Sequence, residues 1–209
     1  FTPNASGGYD VSPLAFHYET NLGDLLPDNP TRNWPVSFPF LFYGKTYSDI
    51  YITNIGALSL GQALHKPDLQ NNSQSFPGIF PLLVNLDIKG DGGVFARVEP
   101  ERLIVTWDHL PVIDFPEAIY TFQAVLYRNG RFDVTYNGLP SPLVFTPDAQ
   151  PYSNPWLRGV APGLAEPVTQ VDDLSQAGPG NTQGVVQDFY LAFRQHLHHL
   201  IAPLAWLII

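Results

Sequence analysis

Proline and glycine punctuate this chain so densely, 21 and 17 of 209 residues, that few stretches run unbroken for the length of a helix. Proline lacks the amide hydrogen and clashes inside a helix, and glycine loses more backbone entropy there than any other residue. No helix of ordinary length can be placed before residue 189. Short apolar alternation fills the gaps between turns, which is the period of half-buried strands. Val36, Phe38, Phe40 and Phe42 alternate first, and Pro39 denies that strand one ladder donor, which predicts an edge strand or a bulge. Residues 46–53 and 57–61 read as a hairpin around Asn54-Ile55-Gly56. Residues 79–86 are a buried apolar run, and 94–98 and 103–107 are two strands. Residues 120–127 and 131–136 form the clearest hairpin, closed at Asn129-Gly130, the pair favoured in a tight primed turn. Residues 14–18, 156–160 and 185–193 are further candidate strands, and 176–183 reads as a flexible connection. The expected fold is all-β: an antiparallel sandwich or partly closed barrel with long Pro/Gly-rich loops and at most one short helix near residues 194–202. Residues 1–35 form an N-terminal arm with a first strand, 36–193 the β domain and 194–209 an apolar tail.

Composition removes several functions. Charged residues are 14% of the chain and the net charge is −9, against about 25% charged in an ordinary domain. The lysines are Lys45, Lys66 and Lys89, with no basic run, so phosphate backbones and anionic membrane surfaces are disfavoured partners. With no cysteine, a disulfide scaffold, a thiolate metal site and a thiol nucleophile are excluded. A start at Phe1-Thr2-Pro3 fits a mature end left after signal cleavage, and the expected location is secreted or at the cell surface. Asn4-Ala5-Ser6 and Asn71-Asn72-Ser73 are N-glycosylation patterns at Asn4 and Asn71.

An ordered series of motifs carries a family resemblance. Phe40-Leu41-Phe42-Tyr43-Gly44-Lys45-Thr46-Tyr47 precedes Ile52-Thr53-Asn54-Ile55-Gly56-Ala57-Leu58-Ser59-Leu60-Gly61. This resembles the "F-x-F-x-G-x-x-Y … V-x-N-x-G-x-I-S-F-G" opening of nidogen-like (NIDO) domains. Phe80-Pro81-Leu82-Leu83-Val84-Asn85-Leu86-Asp87 is similar to that family's "I-A-P-F-W-A-D-L-D", with Leu83-Val84-Asn85-Leu86 in place of the acidic-aromatic "F-W-A-D". Leu103 to Asp108, with Thr121-Phe122-Gln123-Ala124-Val125-Leu126, matches its "V-x-V-T-W … N-T-F-Q-A-V-L" core. The resemblance spans about residues 36–193. It implies an extracellular β-rich module of matrix and adhesion proteins, with no catalytic residues to carry over.

The candidate chemistry is sparse. Asp87 and Asp91 stand four apart in a Gly-rich turn, a pattern that supplies oxygen ligands to calcium. Lys89 between them and the lack of EF-hand spacing favour a solvated β-turn, and Asp172-Asp173 is a similar loop pair. His196 and His199 would share a helix face, with His198 beside them, but no third metal ligand is evident. Trp34 and Trp156 border loops beside prolines and are the candidate sugar-stacking surfaces, whereas Trp107 sits in an alternating strand and belongs to the core. Glu19, Glu99, Glu101, Glu117 and Glu166 all fall in predicted loops, and no nucleophile elbow, phosphate loop or zinc-protease motif occurs. The expectation is a protein that is not an enzyme and needs no cofactor, calcium aside.

The tail completes the reading. Residues 200–209 are half the length a membrane span needs, and Pro203 interrupts them, so no transmembrane span is expected. Leu204, Trp206, Leu207, Ile208 and Ile209 form a raw apolar end that must dock in its own domain, in another subunit or at a membrane surface. The expected function is therefore structural or adhesive, through contact with other extracellular proteins or other copies of the chain. Strand addition by residues 204–209, or secondarily by residues 1–16, would build a filament or matrix. The alternative is a carbohydrate- or calcium-binding adhesion module with glycans as partners.

Overall fold

The computed structural model describes residues 1–5, 7–12, 14–28, 33–64, 77–84, 86–113, 115–139, 157–163 and 181–182. The described residues form strands and turns with no helix, as expected. In chain order the strands are β1 (Thr2–Pro3), β2 (Tyr9–Asp10), β3 (Asp24–Leu25), β4 (Asn33–Phe42), β5 (Lys45–Thr53), β6 (Leu58–Leu60) and β7 (Pro77–Leu83). They continue as β8 (Gly93–Val98), β9 (Arg102–Val112), β10 (Phe115–Tyr127), β11 (Phe132–Gly138), β12 (Leu157–Pro162) and β13 (Asn181–Thr182). Two five-stranded sheets result, ordered β11-β10-β9-β8-β3 and β12-β7-β6-β5-β4, with a small β1-β2-β13 sheet beside them. All the pairings are antiparallel. Among the described residues the two large sheets stay separate as a sandwich, and no barrel closes.

The inner faces follow the alternation. Phe38, Phe40 and Phe42 of β4 are buried, each contributing roughly 1.5–3 kcal/mol by removal from water. β4 is both an edge strand and bulged, because its register against β5 shifts between Ser37 and Phe40, around Pro39. Trp107 stacks on Phe122 at 4.9 Å, and its indole N–H donates to the Thr53 carbonyl of the other sheet at 2.7 Å. The Asn54-Ile55-Gly56 turn is buried rather than solvated. The Asn54 amide donates to Leu86 O at 3.1 Å, Thr53 Oγ1 donates to Ala57 O at 2.9 Å, and Val84 N donates to Ile55 O at 3.0 Å. The turn thus plugs the end of β7, so its Asn and Gly are demanded by polar satisfaction and close approach.

Several local expectations change. The primed turn is at Tyr43-Gly44, where both residues have positive φ (46° and 75°) between the paired Phe42 and Lys45. At Asn129-Gly130 only the glycine is left-handed, at φ 90°. Tyr127 N donates to Arg131 O, and Gly130 N to Tyr127 O, both at 2.8 Å. The loop is therefore three residues, Arg128-Asn129-Gly130, of the kind that ends in a left-handed residue. Residues 14–18 join no ladder. Short β1, β2 and β3 instead attach the N-terminal segment, and β13 forms within the expected connection at 176–183. Glu117 lies on β10, not in a loop. Residues 185–193 and the helix expected at 194–202 lie outside the described residues.

Candidate functional site

The N-terminal segment covers the outer face of the β11-β10-β9-β8-β3 sheet. On β10, Phe122, Ala124 and Leu126 face the core, so Gln123 and Val125 face away from it. Both are nonetheless buried. Gln123 is the anchor: Glu19 N donates to its Oε1 at 3.0 Å, while its Nε2 donates to Glu19 O at 3.1 Å and to Thr106 Oγ1 at 2.8 Å. This amide meets one residue's backbone as a neighbouring strand would. The Glu19 side chain adds ion pairs, accepting from Arg102 at 2.6 Å and Arg97 at 2.8 Å. Glu99 accepts from Arg102 at 2.6 Å and pairs with Arg97 at 3.3 Å. Burial pushes the Glu19 carboxyl up, but hydrogen bonds from His17, Arg102 and Arg97 outweigh it and bring its pKa down to about 2.

Ahead of this latch the segment leaves a cleft. Val11, Ser12, residues 14–17, residues 132–136 of β11 and parts of β7, β10 and β12 border about 600 Å³. Leu14 and Phe16 on its rim are 57% and 69% exposed, a large apolar exposure for neighbouring positions. Val125, Val134, Phe80 and Gly159 line the interior. β11 is the last strand of its sheet. Phe1 begins to extend that edge: its N donates to Phe132 O at 2.8 Å, Phe132 N donates to Phe1 O at 3.0 Å, and the two rings stack at 4.3 Å. Tyr136 Oη donates to Pro81 O at 2.6 Å and ties β11 to the opposite sheet. The cleft runs beside a sheet edge and is lined mainly by apolar side chains, with Ser12, His17, Asp133 and Thr135 also in its lining.

The residues singled out from sequence are placed elsewhere. Trp34 is buried, with its indole N–H donating to Pro27 O at 2.6 Å, so its ring fills the core and offers no stacking face. Trp107 is in the core as expected. Asp87 and Asp91 sit on the loop against β9, where Asp87 N donates to Pro111 O at 2.8 Å and Asp87 Oδ1 accepts from Lys89 N at 3.1 Å. Among the described residues, no group of three or more His, Asp or Glu side chains can hold a metal ion. Gly92 lies so close to the Asp108 and His109 carbonyls that a Cβ would not fit. His109 occupies the β9 bulge at φ 50°. The Asn4 amide is engaged, its Nδ2 donating to Asp10 at 3.1 Å and its Oδ1 accepting from Gly8 N at 3.0 Å. Asn71, Trp156, Asp172, Asp173, His196, His198, His199, Leu204, Trp206, Leu207, Ile208 and Ile209 lie outside the described residues. Sequence reasoning missed the Gln123–Glu19 latch and the cleft; the available signal was Gln123, a lone amide in an otherwise apolar strand centre.

The family model described as NIDO related matches residues 4–173. The match begins inside the segment set apart as an arm, in keeping with the way β1, β2 and β3 attach that segment to the sheets. No solved structure matches the chain.

Proposed function

This chain belongs to the NIDO-related family, typically extracellular, and from that premise we propose that it is a secreted or cell-surface structural protein that works by protein–protein contact rather than catalysis. The contact is strand addition between copies, giving a filament or matrix. The observation that supports this most is the apolar cleft beside β11, with Leu14 and Phe16 exposed on its rim. A sheet edge next to an apolar groove is the surface that accepts an extended segment: main-chain hydrogen bonds give affinity and the groove sorts side chains. The sequence supplies such a segment in Leu204, Ala205, Trp206, Leu207, Ile208 and Ile209. Among the described residues no helix is long and apolar enough to cross a membrane. The test is light scattering of the full chain over a wide concentration range, with electron microscopy of the native material. Mass rising with concentration and regular polymers are expected; a monomer at the highest concentration overturns the reading.

A further inference from the structure

We infer that the Phe16–His17 peptide bond is a site of limited proteolysis, presented to an endopeptidase with an apolar pocket for the residue before the cut, and that cutting it opens the cleft without taking the sandwich apart. Such an enzyme takes its substrate as an extended strand, held by main-chain hydrogen bonds and sorted by a side-chain pocket. A bond offered to it combines an extended backbone, uncommitted main-chain groups and a large apolar side chain in solvent. Leu14, Ala15, Phe16 and His17 are all exposed, the longest such run among the described residues. The chain makes no turn or bend from Leu14 to Glu19. Among the described residues, the main chain of 14–18 joins no strand and has no hydrogen-bond partner. The other exposed large apolar residues fail one condition. Leu25, Val98 and Ile119 lie in β3, β8 and β10, where the backbone is paired with a neighbouring strand. Leu139 precedes Pro140, whose ring nitrogen has no N–H to offer at the cut. Phe16 is the more exposed of the two that remain, at 69% against 57% for Leu14.

Anchors on both sides hold the cut chain in place. Upstream, Tyr9 is buried and its Oη donates to Gly130 O at 3.0 Å, while Phe1 exchanges main-chain hydrogen bonds with Phe132. Downstream, Gln123 holds the N–H and C=O of Glu19, and Arg97 and Arg102 hold its carboxylate. Hydrolysis places the hydroxyl of water on the Phe16 carbonyl carbon and its hydrogen on the His17 nitrogen as the C–N bond breaks. Residues 11–16 then keep only their upstream anchor. Val11, Ser12, Leu14, Ala15 and Phe16 border the cleft that Val125 also lines, and Val125 is 6% exposed. Exposure of that apolar lining is therefore the signature of the cut, whether or not copies of the chain assemble.

The full chain treated with chymotrypsin under native conditions, followed by mass spectrometry, tests this. A new amino terminus at His17 is expected roughly tenfold or more sooner than any cut after an aromatic residue of β4 or β10. Residues 1–16 are expected to co-elute with the remainder on gel filtration, with the far-ultraviolet circular dichroism unchanged. Fluorescence of 1-anilinonaphthalene-8-sulfonate is expected to rise as the bond is cut. Phe16→Asp, at an exposed position, is expected to keep the melting temperature, slow this cut roughly tenfold and suppress the fluorescence rise under the same protease. A Phe16–His17 bond as resistant as those inside the strands overturns the site. Unchanged cutting in the Phe16→Asp protein overturns its recognition through Phe16. Separate elution of residues 1–16, or a fluorescence rise that does not depend on this cut, overturns the opening of the cleft with the sandwich intact.

Discussion

Gly56 shows how much a single position in this fold can demand. It has φ 75°, and an added Cβ would collide with the Leu82 backbone and the Phe122 ring. Gly56→Ala is therefore expected to destabilise by more than about 2 kcal/mol, combining left-handed strain with overpacking, which urea denaturation reads directly. Glu19 carries a different signature. Its folded pKa of about 2 lies below the ordinary 4.5, so its contribution is complete above about pH 4.5 and is lost as pH falls through 2. Glu19→Gln is expected to cost about 1–2 kcal/mol at pH 7. The gap between variant and parent should narrow between pH 4.5 and 2. Equal gaps at both pH values would show that the carboxylate charge is not what holds Arg97 and Arg102. Tyr18 belongs to the same surface, with its pKa pushed up to about 12 by burial and by the Asp108 carboxylate, which its hydroxyl meets at 3.4 Å.

At the scale of elements, strands whose side chains alternate were legible and attachments were not. Phe38, Phe40 and Phe42 announce β4, and Pro39 announces its bulge, because both are properties of neighbouring residues. The β10–β11 hairpin was placed correctly and its turn was not: the residue pair Asn129-Gly130 suits two loop lengths, and the Tyr127–Arg131 hydrogen bond decides between them. β1, β2 and β3 are two residues each, too short for any period to register. Trp34 read as a surface ring because Pro35 follows it, yet Pro35 lies in the strand and Trp34 in the core. The cleft was illegible for a related reason: it joins Val11, Ser12 and residues 14–17 to a strand more than a hundred positions later. Gln123→Leu tests the latch as an element. It leaves the Glu19 N–H and C=O without the amide, so residues 14–19 are expected to exchange amide hydrogens and be cut by protease at least tenfold faster. β4–β7 should keep their protection, and unchanged exchange at 14–19 would show that the ion pairs alone hold the segment.

For the whole molecule, most pairings join sequence neighbours, as in β4–β5–β6–β7 and β8–β9–β10–β11. These meanders can form early, whereas the contacts that weld the N-terminal segment to them span the chain. Glu19 and Gln123 are 104 positions apart. Distant pairing must meet its loop-closure cost before any contact rewards it, so closure of the latch is expected to be the last folding event. Pulse-labelling hydrogen exchange should find the β10–β11 amides protected before the Glu19 amide. The reverse order would place the N-terminal segment in the folding nucleus.

That sequence of events matters most while the protein is being made. On a nascent chain Glu19 emerges more than a hundred residues ahead of Gln123, and at about 5–20 residues per second it waits for several seconds or more. Throughout that interval Leu14 and Phe16 have no sheet beneath them, and a neighbouring nascent chain offers as good a surface as their own. The latch that finishes the cleft thus also makes the chain's synthesis a period of vulnerability to premature cross-pairing, during which a holding chaperone would have the most to do.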